Sequence, residues 1–401
     1  MTSPPSASRA PVPLGVLLTA IVGVGALSID MFLPSLPTIA AVFLADASTA
    51  QLTVTLFLAG LAVSQLVWGP LSDRFGRRRV LLAGLALYTM AGTACAFIPG
   101  IRTLIVARVV QALGAGSGPV IARAVVRDLY EPLRAARILA AMGTAQALTP
   151  ILAPVLGGWV HALAGWHAVF LVQGAFGAAF LLTAAGVVPE TNVYAGAPGA
   201  EPLPRRVAEL LGHPRYLAYV TVAAFMFGGQ FAFITGSSFA LIGVLGVSPT
   251  VYGVCFGSVA TGLMAGNFVS VKLGPRLGID TMIRAGTLIG AAAGLAMALL
   301  AWAGVASVIS VVGPMFGFAF GLGFVLPNAA AGAIGPFPRM AGLASAVLGF
   351  VQLTGSALYA IVVSQFYDGT LRPMTTAVAT AGLAALMVFA LLSRRSTTTP
   401  G

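Results

Sequence analysis

Apolar runs long enough to cross a bilayer recur along almost the whole chain, and they constrain its fold more than any other feature. A membrane-spanning helix needs roughly 20 mostly apolar residues. Only 8% of the 401 residues are charged, against about 25% in soluble domains, so a water-soluble globule and a disordered chain are both excluded. The sequence predicts an all-α membrane protein whose twelve transmembrane helices lie at about 14–36, 50–70, 80–98, 101–126, 136–160, 167–188, 215–245, 251–272, 282–302, 304–328, 341–365 and 373–392.

The longest polar stretch falls between the sixth and seventh apolar runs and holds five prolines. It divides the chain into two halves of six helices, a pattern typical of transporters built from repeats related by pseudo-two-fold symmetry. The predicted organisation is a cytoplasmic tail at 1–13, an N-terminal bundle at 14–188, a cytoplasmic linker at 189–214, a C-terminal bundle at 215–392 and a second cytoplasmic tail at 393–401.

The charge of the chain is strongly basic, with 21 Lys and Arg residues against 10 Asp and Glu, a net charge of +11. If the N-terminus is placed inside, 17 of the 21 basic residues fall in cytoplasmic segments and only Arg102 and Arg372 fall in outer loops. Basic residues collect in cytoplasmic loops of membrane proteins. The charge therefore predicts a multi-pass membrane protein with both termini cytoplasmic, and it does not indicate nucleic-acid binding.

The most specific motif lies in the short loop between the second and third helices. It reads Gly69-Pro-Leu-Ser-Asp73-Arg74-Phe-Gly76-Arg77-Arg78-Arg79. This spacing matches, without a gap, the signature loop of the major facilitator superfamily. The resemblance implies the major facilitator fold and a gating loop formed by Gly69, Asp73, Arg74, Gly76, Arg77 and Arg78, together with Asp128.

Three further segments narrow the resemblance within that family, and the resemblance implies a protein of the bacterial plasma (inner) membrane. Ser28–Ala40 is similar to the first-helix signature of the bicyclomycin and chloramphenicol/florfenicol resistance branch (Bcr/CflA-like). Arg108-Val-Val-Gln111 resembles the fourth-helix motif of proton-coupled members. The segment that contains Pro154, Gly157 and Gly158 resembles the fifth-helix motif of drug antiporters. This chain departs from the family at Ala112 and Ala153, where Gly is usual.

Ionisable residues inside a membrane are costly and are functional candidates by default. Asp30 and Arg108 fall at similar depth in the first and fourth helices, which line the central cavity in the family fold. We therefore expect them to face the cavity, to be coupled electrostatically and to carry the proton. Two alternatives stay open: Asp30 could be a solvated residue at the cavity mouth, and Arg108 could hydrogen-bond to backbone carbonyls.

Polar helix residues and one aromatic complete the predicted substrate cavity. Its members are Asp30, Arg108, Gln111, Gln146, Gln230, Phe231, Asn328 and Gln352. In the fifth helix, Pro154 is expected to allow a bend, and Gly157 and Gly158 are expected to allow close packing against a neighbouring helix.

The predicted function is export of small, mostly apolar drugs or antibiotics in exchange for protons by alternating access. The alternatives are a proton-coupled transporter of a sugar, amino acid or dipeptide and, less favoured, a membrane receptor that does not transport. No nucleophile–base pair or metal-ligand cluster is visible in the sequence. We therefore expect no enzyme, no cofactor and no metal. For the predicted transporter, we expect the proton gradient to be the energy source and the monomer to be the working unit. Its expected partners are the drug, protons and the lipid bilayer.

Overall fold

The computed structural model describes residues 12–192, 203–337 and 340–395, and within them every regular element is a helix. Most of the two predicted tails and residues 193–202 of the predicted linker lie outside the described residues. We number the membrane helices α1 to α12 in chain order.

The first six helices occupy residues 12–187. Helix α1 consists of three segments, Val12–Val22, Val24–Asp30 and Leu36–Val42, with a single 3-10 turn at Leu33–Ser35. The others are α2 (Ala47–Phe75), α3 (Arg77–Ala94), α4 (Ile101–Ala115 and Ser117–Leu129) and the continuous run Pro132–Val187, which contains α5 and α6.

The second six helices follow a short linker helix at Leu203–Leu211, which packs on α7 and α11 and buries Leu210. They are α7 (Pro214–Ser238, extended by a π-helical turn at Phe239–Val244), α8 (Pro249–Leu277), α9 (Ile279–Trp302), α10 (Val308–Ile334), α11 (Ala341–Gln365) and α12 (Arg372–Arg395).

Eleven stretches of the described chain are long and apolar enough to cross a membrane, and one of them, Arg137–Val187, is 51 residues long. That length is more than twice what one crossing needs. Gly165 breaks the stretch because its φ of 77° and ψ of 178° are not helical. We assign 132–164 to α5 and 166–187 to α6, which gives the twelve helices predicted from the sequence.

Helix α1 is interrupted twice, and both interruptions have a local cause. Gly23 separates the first two segments. Pro34 and Pro37 follow Asp30, and because proline has no backbone N–H, helical hydrogen bonding is lost around them. The second interruption places Asp30 at the last residue of a helical segment.

The two halves repeat one packing plan. In the first half α1 packs on α5, α2 on α4, and α3 on both α4 and α6; in the second half α7 packs on α11, α8 on α10, and α9 on both α10 and α12. Two long seams join the halves, α5 against α8 and α2 against α11. We call the end of the bundle where α1 begins and α12 ends the termini end, and the opposite end the far end.

Candidate functional site

Asp30 lies in the seam between the two halves and is 4% exposed. It is the last residue of the middle segment of α1, and the 3-10 turn that follows it contacts both α7 and α8 of the second half. Among the described residues, no hydrogen bond or ion pair reaches its carboxyl group. The alternative of a solvated residue at the cavity mouth does not fit this burial.

A buried tyrosine of the second half lies within electrostatic range of Asp30. Tyr252 of α8 is fully buried and lies within electrostatic reach of the Asp30 carboxyl group. Its hydroxyl is 2.9 Å from the Ser237 hydroxyl of α7. Sequence reasoning missed Tyr252 and Ser237, because nothing in their local sequence distinguishes them from other polar helix residues.

Arg108 is held inside the first half. It is fully buried, its guanidinium carbon lies 4.7 Å from the ring centre of Phe32 and 4.2 Å from that of Phe57, and a third ring, Phe170, is 5.9 Å away. Rings from α1, α2 and α6 thus surround the cation and offer it their π faces. The Nε atom of Arg108 has no hydrogen-bond partner in the described part of the chain.

The predicted coupling of Asp30 with Arg108 stays a prediction. Within the described residues no ion pair joins their side chains. The Arg108 guanidinium donates instead to the Gln111 side-chain oxygen at 2.7 Å and to the Ser28 carbonyl oxygen at 3.1 Å. The alternative of a hydrogen bond to a backbone carbonyl is therefore observed, and its acceptor lies two residues before Asp30.

A hydrogen-bond network extends from Arg108 through four other buried side chains. Gln111 donates to the Gln173 side-chain oxygen at 3.0 Å, and Gln173 donates to the Ser28 carbonyl at 3.4 Å. The Ser28 hydroxyl is 2.8 Å from the Tyr88 hydroxyl. The network ties α3, α4 and α6 to the part of α1 that precedes Asp30. Arg108 and Gln111 thus support that backbone, and their predicted place in the substrate cavity stays a prediction.

The fifth-helix motif packs against both halves. A Cβ atom at Gly157 would overlap the carbonyl oxygen of Met31, next to Asp30. A Cβ atom at Gly158 would lie 2.5 Å from the Pro249 carbonyl oxygen of α8, and one at Gly253 of α8 would lie 2.6 Å from the Pro154 carbonyl oxygen. Such close backbone approach requires residues without side chains. Gly157 therefore lets α5 approach the break in α1, and Gly158 lets it approach α8.

The remaining predicted cavity residues have different surroundings. Gln146 accepts a hydrogen bond from Arg123 at 3.3 Å, and Gln352 is half-buried. The Gln230 side-chain oxygen is buried without a partner in the described residues, and buried Phe231 packs edge-to-face on Phe227. The Asn328 side chain donates to the Ser270 hydroxyl at 2.7 Å and to the Phe324 carbonyl at 2.8 Å, and both acceptors lie within the second half. These bonds tie α10 to α8, and the place of Asn328 in the cavity stays a prediction.

The signature loop joins α2 to α3 at the termini end, where the chain turns at Gly76 with φ of 96°. Arg77 is the centre of its contacts: it pairs with Asp73, donates to Asp128 at 3.3 Å and donates to the Ser72 hydroxyl at 2.6 Å. Arg74 is exposed and lies over the Phe75 ring, and Gly69 is in ordinary contact with Val120 of α4.

The segment after α6 fastens this loop. The Glu190 carboxylate accepts hydrogen bonds from the backbone N–H groups of Arg77 and Arg78, which begin α3, at 2.8 and 3.2 Å. Thr191 donates to Asp128, and Asn192 donates to the carbonyls of Ser72 and Asp73. Burial acts to raise the pKa of Glu190, but backbone N–H groups that donate to the carboxylate outweigh burial, so the pKa lies below its ordinary value.

Comparison with known proteins identifies the class of this architecture. The family model of the Major Facilitator Superfamily matches residues 18–360. The chain is 31% identical to the uncharacterized MFS-type transporter YdgK of Bacillus subtilis, over 95% of this chain and 96% of the relative. It is 26% identical to a bicyclomycin resistance protein homolog of Haemophilus influenzae, over 92% and 93%. It is 30% identical to multidrug resistance protein D of Escherichia coli, over 86% of each chain.

A solved structure shows the same fold. The partially occluded inward-open conformation of the xylose transporter XylE from E. coli superposes with a TM-score of 0.74 at 14% identity, over 93% of this chain and 95% of that one. The family predicted from the loop motif is confirmed: the chain is a multi-span membrane protein that belongs to the Major Facilitator Superfamily.

Proposed function

We propose that this protein exports small, mostly apolar drugs in exchange for protons by alternating access. Membership of a transporter family and the names of two relatives, a multidrug resistance protein and a bicyclomycin resistance protein homolog, support the proposal. In this proposal the protein is not an enzyme, needs no cofactor and works as a monomer driven by the proton gradient. It lies in the bacterial inner membrane with both termini in the cytoplasm.

The observation that carries the proposal is the position of Asp30. Its carboxyl group is buried in the seam between the halves, beside a break in α1, and no cation pairs with it in the described part of the chain. A charged side chain inside a membrane is costly unless it is paired or hydrated. We infer that Asp30 is neutral while the seam is closed against α8, and that it exchanges its proton when the seam opens to water.

Arg108 serves a different purpose in this mechanism. It holds the Ser28 carbonyl, while Gly157 lets α5 pack against Met31, so the backbone is supported on both sides of Asp30. We propose that Arg108 and Gln111 are positioning residues: they keep the break in α1 at the seam, and they do not themselves carry the proton.

The test is a drug-susceptibility panel in a host that lacks its main pumps, comparing the wild type with Asp30→Asn. Asn cannot take up and release a proton, so Asp30→Asn should abolish proton-driven efflux while membrane levels stay normal. Asp368→Asn, the same change at a residue that accepts hydrogen bonds from Thr370 in an exposed far-end loop, is the matched control and should keep efflux.

Unchanged efflux by Asp30→Asn at normal expression would contradict the coupling role. If instead the wild type protected against no drug but drove proton-dependent movement of a sugar, amino acid or dipeptide in vesicles, the drug assignment would be replaced by the metabolite alternative.

A further inference from the structure

A basic pocket opens at the termini end of the first half, beside the turn between α2 and α3. It has a volume of about 460 Å³, and three arginines (Arg74, Arg78 and Arg79) contribute to its wall together with Phe75, Glu190 and Asn192. We call it the arginine pocket. Its volume lies in the range of ligand sites, roughly 300–1,000 Å³. The proposed export mechanism does not use it.

The positive charge of the pocket is not neutralised from within. Among the described residues of its wall, Glu190 is the only acid, and both of its oxygens accept hydrogen bonds from backbone N–H groups: Arg77 and Thr191 donate to one, and Arg78 donates to the other. Three arginines against one carboxylate leave this described wall with a formal charge of +2. Asp73 of the same turn pairs with Arg77.

The guanidinium groups differ in how they are held. Arg78 donates to the Ala185 carbonyl of α6 at 2.6 Å, which fixes its side chain. Arg74 lies over the Phe75 ring at 5.2 Å, and Arg79 is exposed. Neither Arg74 nor Arg79 pairs with a carboxylate in the described part of the chain. Two cations therefore remain available to a ligand.

The exposure of Phe75 indicates that the pocket lies at the membrane interface. Phe75 is 53% exposed at the end of a membrane helix, next to the arginines. An exposed aromatic ring beside guanidinium groups suits the membrane interface, where the ring meets acyl chains and the cations meet headgroups. A phospholipid whose headgroup enters the pocket from the bilayer would thus find apolar surface at Phe75 for its acyl chains.

We propose that the arginine pocket binds the phosphodiester headgroup of an anionic membrane lipid. Guanidinium groups bind phosphate oxygens in a bidentate, charge-assisted manner. Basic pockets at the ends of transmembrane helices are suited to anionic lipid headgroups. The bound lipid would hold the turn between α2 and α3 against the membrane surface and so link lipid composition to the stability of the signature loop.

The experiment uses the purified full-length protein in a neutral detergent. Phosphatidylglycerol, phosphatidylcholine and inorganic phosphate are added in separate arms at equal ionic strength. Melting temperature and the number of bound lipids, counted by native mass spectrometry, are measured for the wild type, Arg79→Gln and Arg276→Gln. Arg276 is the matched control because it is the exposed arginine of the corresponding turn in the second half, outside the pocket.

Phosphatidylglycerol should raise the melting temperature of the wild type and of Arg276→Gln above that seen with phosphatidylcholine. Arg79→Gln should bind phosphatidylglycerol roughly five-fold more weakly, the change expected for loss of one arginine near an anionic lipid surface. Arg79→Lys keeps the charge without the bidentate geometry, so its affinity for phosphatidylglycerol should lie between those of the wild type and Arg79→Gln. If Arg79→Gln does not fold, Arg79→Lys tests the proposal in its place.

Equal effects of phosphatidylglycerol and phosphatidylcholine on the wild type would overturn the proposal. Equal lipid binding by the variants at Arg79 and by Arg276→Gln would overturn it as well. If inorganic phosphate alone reproduced the stabilisation, the pocket would be a site for free phosphate and the assignment to a lipid would be wrong.

Discussion

The turn between α2 and α3 and the turn between α8 and α9 occupy equivalent places in the two halves, yet only the first is enclosed by polar contacts. Both turn at a glycine with positive φ, 96° at Gly76 and 80° at Gly278, and in both the next helix starts at the following residue. A Cβ atom at Gly76 would collide with the Glu190 carboxylate, whereas one at Gly278 would have nothing within 4 Å.

The side chains around the two turns explain this difference. Asp73, Arg77 and Arg78 of the first turn correspond by position to Pro275, Ile279 and Asp280 of the second. The second turn thus lacks both the arginine that contacts Asp73 and Asp128 in the first turn and the acid that such an arginine would pair with. Asp280 instead accepts a hydrogen bond from the Tyr219 hydroxyl at 2.6 Å. The two halves thus share the backbone turn at a glycine, whereas among the described residues the network of Asp73, Arg77, Asp128 and Glu190 surrounds the first turn only.

The largest expected difference comes from changing each glycine to alanine. Both positions lie near a backbone region that is essentially restricted to glycine, so either change should cost about 1–3 kcal/mol. Gly76→Ala must in addition displace Glu190, and it should therefore lower the melting temperature and the transport rate more than Gly278→Ala. Equal losses in the two variants, measured by thermal melts in detergent and by efflux, would show that Glu190 is unimportant.

A second comparison removes one acid from each turn. Asp73→Asn breaks the pair with Arg77, and we expect it to slow the conformational cycle severalfold while drug binding in detergent is kept. Asp280→Asn keeps a group that can accept the Tyr219 hydrogen bond, so transport should change little. A fall in drug binding as large as the fall in transport for Asp73→Asn would contradict the gating role.

The smallest expected effect concerns the pH dependence of Glu190. A carboxyl group whose pKa is lower in the folded protein contributes stability above its unfolded pKa, and this contribution is lost as the pH falls through the folded value. Because Glu190 caps the first N–H groups of α3, Glu190→Gln should cost about 1 kcal/mol or less at neutral pH. The difference from the wild type should disappear in acid, below the lowered pKa.

Thermal melts of the wild type and Glu190→Gln across this pH range check the expectation. Asp280→Asn serves as a control for loss of a carboxylate at the same end of the bundle. A difference between the wild type and Glu190→Gln that persisted unchanged in acid would show that the effect does not depend on the charge of Glu190.

Much of the fold could be predicted from the sequence because apolar runs, charged loops and the signature motif are local patterns. Both α5 and α6 were predicted, but the sequence left 161–166 between them, where the structure continues the helix and departs from helical geometry at Gly165. The linker helix was not predicted, because it lies in a stretch that is polar on average. Asp30 could be selected as an acid in an apolar run. Its electrostatic partner could not, because Tyr252 is more than 200 residues away along the chain.

The sequence by itself determined the membrane architecture, the six-plus-six division and the family, since these depend on length, hydropathy and contiguous motifs. Only the tertiary structure decided the partners of the buried charges. It placed Arg108 among three aromatic rings and against the Ser28 carbonyl, and it buried Asp30 in the seam. The physical reason is that position along a helix gives the depth of a residue, whereas helix rotation and packing decide what its side chain meets.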